Sequence, residues 1–256
     1  MDKVSPKKHL GQHFLIDKNI AEKLAAAIQP ERGFQRILEI GPGMGILTQF
    51  LLQIPQTKLS VVEIDTESVT YLEQNFPMLQ GKIISGDFLK YDFLKAFDNE
   101  PFSIVGNFPY NISAPILFQL LEYKDYVPQL TGMFQREVAE RIASPPGSKD
   151  YGILSVLLQA YFDVKLLFHV SEHVFQPKPK VKSAVLQLTR NTNTLDCDEK
   201  LMVRVVKTAF NQRRKIMRNS LKSICPDDSI LADDIFLLRP EALHFSDFVE
   251  ITKRFS

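Results

Sequence analysis

Leu38-Glu39-Ile40-Gly41-Pro42-Gly43-Met44-Gly45 is a short apolar run that breaks into a Gly-x-Gly-x-Gly turn. Such a run suits a strand buried on both faces of a parallel sheet. In an open α/β sheet, that turn lies where a ligand can approach main chain at the carboxyl ends of the strands. Outward from it, β-type runs alternate with helical patterns. Arg36 to Ile40, Lys58 to Ile64, Lys82 to Ser85, Phe102 to Gly106 and Leu130 to Phe134 are predicted strands. Leu47 to Gln53, Thr66 to Phe76, Ala114 to Glu122 and Gln135 to Ala143 are predicted helices. Alternation at this spacing implies parallel β-α-β units with helices on both faces. Upstream, Asp17 stands as an N-cap before Ile20, Ala21, Leu24, Ala27 and Ile28, a helical face that stops at Pro30. Downstream, a helix over Gly152 to Tyr161 precedes two strands, Asp163 to His169 and Ser183 to Thr189, with no helix between them. They are expected to pair antiparallel at one edge. Asn191-Thr192-Asn193-Thr194 reads as a linker, and only helical patterns follow it. The expected architecture is a Rossmann-like sheet with an antiparallel edge hairpin over residues 1–193, followed by a small α-helical domain over residues 194–256.

The turn constrains the ligand. A dinucleotide fingerprint would place its third glycine at position 46, which is Ile46, and a pyrophosphate would seek an N–H where Pro42 has none. S-adenosylmethionine carries no phosphate, and Gly41 and Gly43 would serve close contact with its methionine and ribose portions. The second strand ends Val61-Val62-Glu63-Ile64-Asp65, which puts the Glu63 carboxylate where it can accept both ribose hydroxyls. The third ends Ser85-Gly86-Asp87-Phe88. Asp87 can accept from an adenine amine, with Phe88 against the ring. An acid after a strand is often only a helix cap. Acids in register on successive strand ends point further, to an adenosyl ligand.

The fourth strand runs into Asn107-Phe108-Pro109-Tyr110. An exocyclic adenine amine is a poor nucleophile because its lone pair is delocalised into the ring. If the Asn107 side-chain oxygen and the Pro109 carbonyl each accept one N–H, the lone pair is aimed at a sulfonium methyl, and in-line transfer needs no metal. Tyr110 offers a face for a base taken out of its stack.

The rest of the composition narrows the setting. Apolar residues are 45% and charged residues 24% of the 256, an ordinary globular balance that excludes a disordered or collagen-like chain. Cys197 and Cys225 fit neither a metal site nor a disulfide framework, so a reducing, cytoplasmic compartment is expected. The N-terminus leads into no apolar core of signal-peptide length, and no stretch approaches the ~20 apolar residues of a bilayer span. With 31 basic and 30 acidic residues the net charge is +1, so any surface for a polyanion must be local. From Lys200 to Lys222 there are eight Lys and Arg and no Asp or Glu. That run is either a solvated helix face or a phosphate-tracking one.

These motifs resemble those of the RNA adenine N6-methyltransferases, and most closely the KsgA (RsmA) type of small-subunit ribosomal RNA adenine N6,N6-dimethyltransferases. Lys8-His9-Leu10-Gly11-Gln12-His13-Phe14-Leu15 is similar to that family's N-terminal cofactor lid, and Asn107 to Tyr110 to its catalytic loop. Phe175-Gln176-Pro177-Lys178-Pro179-Lys180-Val181-Lys182-Ser183-Ala184-Val185 resembles its target-base segment. Phe210-Asn211-Gln212-Arg213-Arg214-Lys215 and Leu238-Arg239-Pro240-Glu241 resemble its C-terminal helices. The resemblance implies that His13, Leu15, Gly41, Glu63, Asp87 and Asn107 contact S-adenosylmethionine. It also implies that Asn107, Pro109 and Tyr110 hold the target amine, with Phe175 as a second stacking wall. His13 stands where the family commonly has Asn, and Phe108 where it commonly has Leu. The implied activity is transfer of four methyl groups, two to each of two adjacent adenosines in a hairpin loop near the 3′ end of the small-subunit RNA, during late ribosome assembly. An unpaired loop base enters a pocket at low cost. Lys178, Lys180, Arg213, Arg214, Lys215, Arg218 and Lys222 would meet phosphates. The expected partner is small-subunit RNA within a pre-ribosomal particle, with no metal, no membrane and a monomeric enzyme.

Three other readings compete. The Erm type methylates large-subunit RNA and shares the Asn-x-Pro-Tyr loop, but Phe175 to Val185 and Phe210 to Lys215 favour the small-subunit type. A DNA adenine methyltransferase would usually carry an acid at position 107. A non-catalytic assembly factor is separable only by an activity measurement.

Overall fold

The computed structural model describes residues 4–256; Met1, Asp2 and Lys3, part of the N-terminal segment read above as lacking an apolar core, lie outside the described residues. The chain forms β1 (Phe14–Leu15), α1 (Lys18–Ala26), β2 (Arg36–Ile40), α2 (Thr48–Leu51), β3 (Lys58–Glu63), α3 (Thr66–Asn75), β4 (Ile83–Ser85), α4 (Phe93–Ala96), β5 (Phe102–Asn107), α5 (Ser113–Glu122), β6 (Gln129–Gln135) and α6 (Arg136–Ala143). There follow α7 (Ile153–Tyr161), β7 (Phe162–Val170), β8 (Phe175–Gln176), β9 (Ser183–Arg190), α8 (Glu199–Asn211), α9 (Met217–Leu221) and α10 (Phe245–Phe255).

Seven strands make one sheet in the order β4-β3-β2-β5-β6-β9-β7. β2 lies at its centre, parallel to β3 on one side and to β5 on the other. Ile37, Leu38 and Ile40 are buried on both faces of the sheet, which is why the run reads as continuously apolar. β9 joins β6 antiparallel, with Leu130 opposite Leu188 and Gln135 opposite Ser183, and β7 takes the edge beside it. The chain winds from β2 towards β4 and then, from β5, in the other direction. That reversal opens a crevice at the carboxyl ends of β2 and β5. Asp17 caps α1 as expected, its carboxylate accepting from the N–H groups of Asn19 and Ile20.

The fold adds one element that the hydrophobic pattern does not show. β1 pairs antiparallel with β8, Phe14 opposite Gln176 and Leu15 opposite Phe175, which ties the N-terminal segment to one more than 160 residues downstream. Two residues are too few to show a period.

The chain divides into two compact units, and the division is discontinuous. The first runs to Ala139 and resumes from Lys165 to Arg190; the second takes Glu140–Val164 and Asn191–Ser256. The single boundary near residue 193 expected from the Asn/Thr linker therefore differs from this grouping. The physical reason is α7. Val156, Leu157, Leu158, Ala160 and Tyr161 bury it nearly all round, and its neighbours within the second unit are α8 and α10. Those helices contribute Met202, Val205, Val206, Phe248 and Ile251 to the same core, with Phe210 stacked on Phe248 at 6.1 Å.

Candidate active site

At the carboxyl edge of the sheet in the first unit is a cavity of about 250 Å3. Its lining brings together nine of the residues singled out in the sequence: His13, Gly41, Gly43, Glu63, Asp87, Phe88, Asn107, Pro109 and Tyr110. No Lys or Arg is among the lining residues. Gly43 (φ 55°) has to be glycine, because a Cβ there would stand 2.9 Å from the Phe14 ring, which closes over the turn.

Glu63 is 3% exposed. Its Oε2 accepts from the Gly43 N–H at 3.1 Å and its Oε1 from the Asp65 N–H at 2.9 Å, so the carboxylate is aimed by main chain on both sides. Burial pushes this carboxyl up, against the pull of those two N–H groups. One strand over and deeper, Glu39 accepts from the Thr48 hydroxyl at 2.7 Å. Burial raises the Glu39 carboxyl to about 8, the Thr48 bond acts in the opposite sense, and the neighbouring Glu63 adds to the rise. Asp87 combines two roles: its Oδ1 caps the turn after β4 by accepting from the Leu89 N–H at 3.0 Å, while Lys90 stands 3.7 Å from Oδ2. Phe88 is 97% covered and stacks on Phe93, so little of its ring remains for a ligand. Ile64, which the sequence analysis passed over, lines the cavity and is half exposed. An apolar side chain between two strand-end acids was the available signal.

The loop after β5 is held from several sides. The Asn107 Nδ2 donates to the His13 carbonyl at 2.9 Å, which orients the amide and leaves Oδ1 as its open acceptor. The Phe108 ring is buried against Phe134 and lies over Gly106 and Gly132; a Cβ on Gly132 would come within 2.0 Å of it. The Pro109 carbonyl, expected to take one amine N–H, instead accepts from the Ile112 N–H at 3.1 Å and the Ser113 hydroxyl at 3.3 Å. Both of its lone pairs are engaged in starting the next helix. The Phe108 carbonyl, one residue earlier, has no hydrogen-bond partner among the described residues. Tyr110 shares a 2.6 Å hydrogen bond with the Ser183 hydroxyl at the start of β9, and burial raises its phenol.

Two expected site residues are elsewhere. Leu15 and Phe175 face each other across the β1–β8 pair, are 4% and 3% exposed, and belong to the hydrophobic core beneath the strap rather than to the cavity lining. Phe175 is therefore not an open stacking wall in this arrangement. The N-terminal strap, the segment leading into β1, is tied down by Lys7, which the sequence analysis passed over, and by Gln12 of the lid motif. Lys7 pairs with Asp65, and Gln12 Nε2 donates to Asp65 at 3.4 Å. Burial opposes the charged form of Asp65, but the bonds from Lys7, Ser68 and Gln12 outweigh it and hold that carboxyl below its usual range.

The basic residues fall into two kinds. Arg213 donates to the carbonyls of Ser148 and Lys149, and Arg218 to those of Leu231 at 2.8 Å and Ala232 at 3.3 Å. Both guanidinium groups hold the second unit together. Lys222 stands 3.7 Å from Asp228, and Lys178 3.4 Å from Glu172. Lys180, Arg214 and Lys215 are exposed, with no ion pair among the described residues. Among the described residues no group of His, Cys, Asp and Glu is arranged to hold a metal, and no helix is long and apolar enough to cross a membrane.

Comparison with known proteins adds an independent line. Residues 4–239 match the family model described as ribosomal RNA adenine dimethylase. A "Ribosomal RNA small subunit methyltransferase A" of Parabacteroides distasonis is 57% identical over 97% of this chain and 93% of its own, and one of Flavobacterium johnsoniae is 54% identical over 99% and 97%. Among solved structures, a dimethyladenosine transferase from Plasmodium falciparum superposes with a TM-score of 0.79 at 24% identity, covering 95% of this chain and 97% of that one. The 23S rRNA methyltransferase ErmE superposes at 0.65 with 25% identity, covering 94% and 99%.

Proposed function

The chain belongs to the ribosomal RNA adenine dimethylase family, and on that premise we propose that it dimethylates the N6 amines of two adjacent adenosines in the 3′-terminal hairpin loop of small-subunit RNA during late small-subunit biogenesis, with S-adenosylmethionine as methyl donor. The observation that carries this reading is the Asn107 amide. Its NH2 is committed to the His13 carbonyl, so its oxygen is the group presented at the cavity.

The residues present fit that donor. A Cβ on Gly86 would meet nothing within 4 Å and one on Gly41 only Pro109 Cδ at 4.0 Å, so main chain stays open to close approach. Glu63 and Asp87 supply acceptors for ribose hydroxyls and an adenine amine, and Ile64 an apolar face. Carboxylates in a lining that holds no Lys or Arg among the described residues suit a ligand that is itself a cation and carries no phosphate. When bound, S-adenosylmethionine supplies an electrophilic methyl on sulfur.

What the chain's own groups do follows from their geometry. Asn107 Oδ1 and the Phe108 carbonyl each accept one N–H of the target amine, which replaces the role first expected of the Pro109 carbonyl. Two acceptors in fixed positions turn the nitrogen lone pair towards the cavity, a gain of orientation rather than of acidity or basicity. Tyr110, anchored through Ser183, gives the base a face to lie on. The amine's proton leaves to solvent once the new N–C bond has made the nitrogen cationic. Lys180, Arg214 and Lys215 meet RNA phosphates, which makes binding salt-sensitive.

The test is direct. Purified protein, incubated with unmethylated small-subunit particles and labelled S-adenosylmethionine, is expected to place two methyls on each of two neighbouring adenosines, counted by mass spectrometry of the RNA. Label confined to large-subunit RNA would favour Erm-type chemistry. RNA binding without any transfer would reduce the protein to an assembly factor.

A further inference from the structure

His13 has three separate connections, and it lines the same cavity as Asn107 and Tyr110. Its carbonyl orients the Asn107 amide. Its imidazole stacks on Tyr110, ring centroids 5.7 Å apart and planes 29° from parallel. Its Nδ1 lies 2.7 Å from the Pro177 carbonyl, and since a carbonyl can only accept, Nδ1 carries the hydrogen. His13 sits immediately before β1, within the strap that covers the cofactor cavity through Gly11, Gln12 and Phe14. Pro177 sits immediately after β8. The residue thus touches the strap, the loop after β5 and the segment that returns to Ser183, the partner of Tyr110.

We propose that the His13 side chain is a positioning residue that couples cofactor binding to target-base binding within that cavity: through its stack on Tyr110 and its bond to the Pro177 carbonyl, closing the strap over the cofactor also sets the face against which the target base lies. This rests on the reading of the site as an RNA adenine methyltransferase. The His13 carbonyl, which holds Asn107, survives substitution of the ring. The ring itself acts on Tyr110 and Pro177. Coupling of this kind is reciprocal: whatever factor the cofactor adds to RNA affinity, RNA adds to cofactor affinity.

The experiment compares wild type with His13→Ala and His13→Phe. Binding of small-subunit particles is measured with and without S-adenosylhomocysteine, S-adenosylhomocysteine binding is measured by calorimetry, and kcat and KM are obtained for both substrates. In wild type, S-adenosylhomocysteine should tighten particle binding by about fivefold or more. His13→Ala should abolish that tightening and lower kcat about tenfold, while S-adenosylhomocysteine affinity in the absence of RNA stays within about twofold. That last value also shows the variant is folded. His13→Phe, which keeps a ring to stack, should recover part of kcat. Wild-type coupling and kcat in His13→Ala would overturn the inference, as would equal losses in His13→Ala and His13→Phe. So would a drop in RNA-free S-adenosylhomocysteine affinity large enough to account for the whole defect. Failure of the wild-type protein to transfer methyl at all is a different result, and it would sink the functional reading instead.

Discussion

At the carboxyl edge of the sheet, Glu63, Asp87 and Asn107 each give part of their hydrogen-bonding capacity to main chain and keep the rest at a cavity. In the basic run of the second unit, Arg213 and Arg218 point their guanidinium groups at main-chain carbonyls, whereas Arg214 and Lys215 stand in solvent. Both regions look alike in sequence, as clumps of polar residues with a plausible ligand. They differ in what fixes the side chains. At a strand end, register and pleat set the direction of each residue, so a role can be assigned from position. On a helix and its following loop, a long cation can turn to phosphate or to its own fold, and a planar guanidinium with five donors satisfies stray carbonyls well.

Asn107 carries the largest expected effect of the strand-end groups. Asn107→Ala should lower methyl transfer by about 100-fold or more, measured with labelled donor, while particle binding persists. Near wild-type turnover would remove the amine clamp and, with it, the claim that strand-end position assigns function. Next in size is Glu39, buried beneath the same edge. Its carboxyl binds a proton up to about pH 8 in the folded chain but only up to about 4.5 when unfolded. In that window the native state holds more protons, so the Glu39 contribution to stability should fall as pH rises from 4.5 to 8 and then level off. Glu39→Gln, which keeps an acceptor for Thr48, should therefore match wild type at pH 4 and exceed it at pH 9 by a few kcal/mol in urea unfolding. A difference independent of pH would show that the carboxyl is ionised in place.

Glu63→Ala should weaken cofactor binding by about 2 kcal/mol, roughly thirtyfold in Kd by calorimetry, the value of hydrogen bonds to a charged group. An unchanged Kd would move the ribose site. The smallest effects separate the two kinds of cation. Arg218→Ala should cost about 1 to 2 kcal/mol of stability in urea unfolding, since it leaves the Leu231 and Ala232 carbonyls short of a donor. Arg214→Ala and Lys215→Ala should leave stability alone and each reduce the slope of log RNA affinity against log salt by about one. If Arg218→Ala changed the salt slope and not the stability, the division between the two kinds would fail.

How far the sequence reached follows the same line. The sheet, its edge pairing of β9 and the cap at Asp17 were legible because period and turn chemistry are local. The placement of Glu63 and Asp87 at the sheet's carboxyl edge was legible because a strand end is a local feature too. That the Pro109 carbonyl is already taken by Ile112 and Ser113 was not legible, because it depends on how the chain turns into α5. Leu15 and Phe175 were placed at the site by the family resemblance, whereas they are opposite each other in a two-strand ladder that closes across 160 residues. The contacts of the His13 ring could not be read, since Tyr110 and Pro177 are distant in sequence.

Residue order alone settles the chemistry on offer: a parallel sheet with acids and an amide on successive strand ends, and a surplus of cations in one later stretch. Folding in three dimensions selects which of those groups keep open hydrogen-bonding capacity. A side chain's chemical type is written in one position, but its remaining hydrogen-bonding capacity depends on every neighbour that folding brings within 3 Å or so, and those neighbours come from anywhere in the chain.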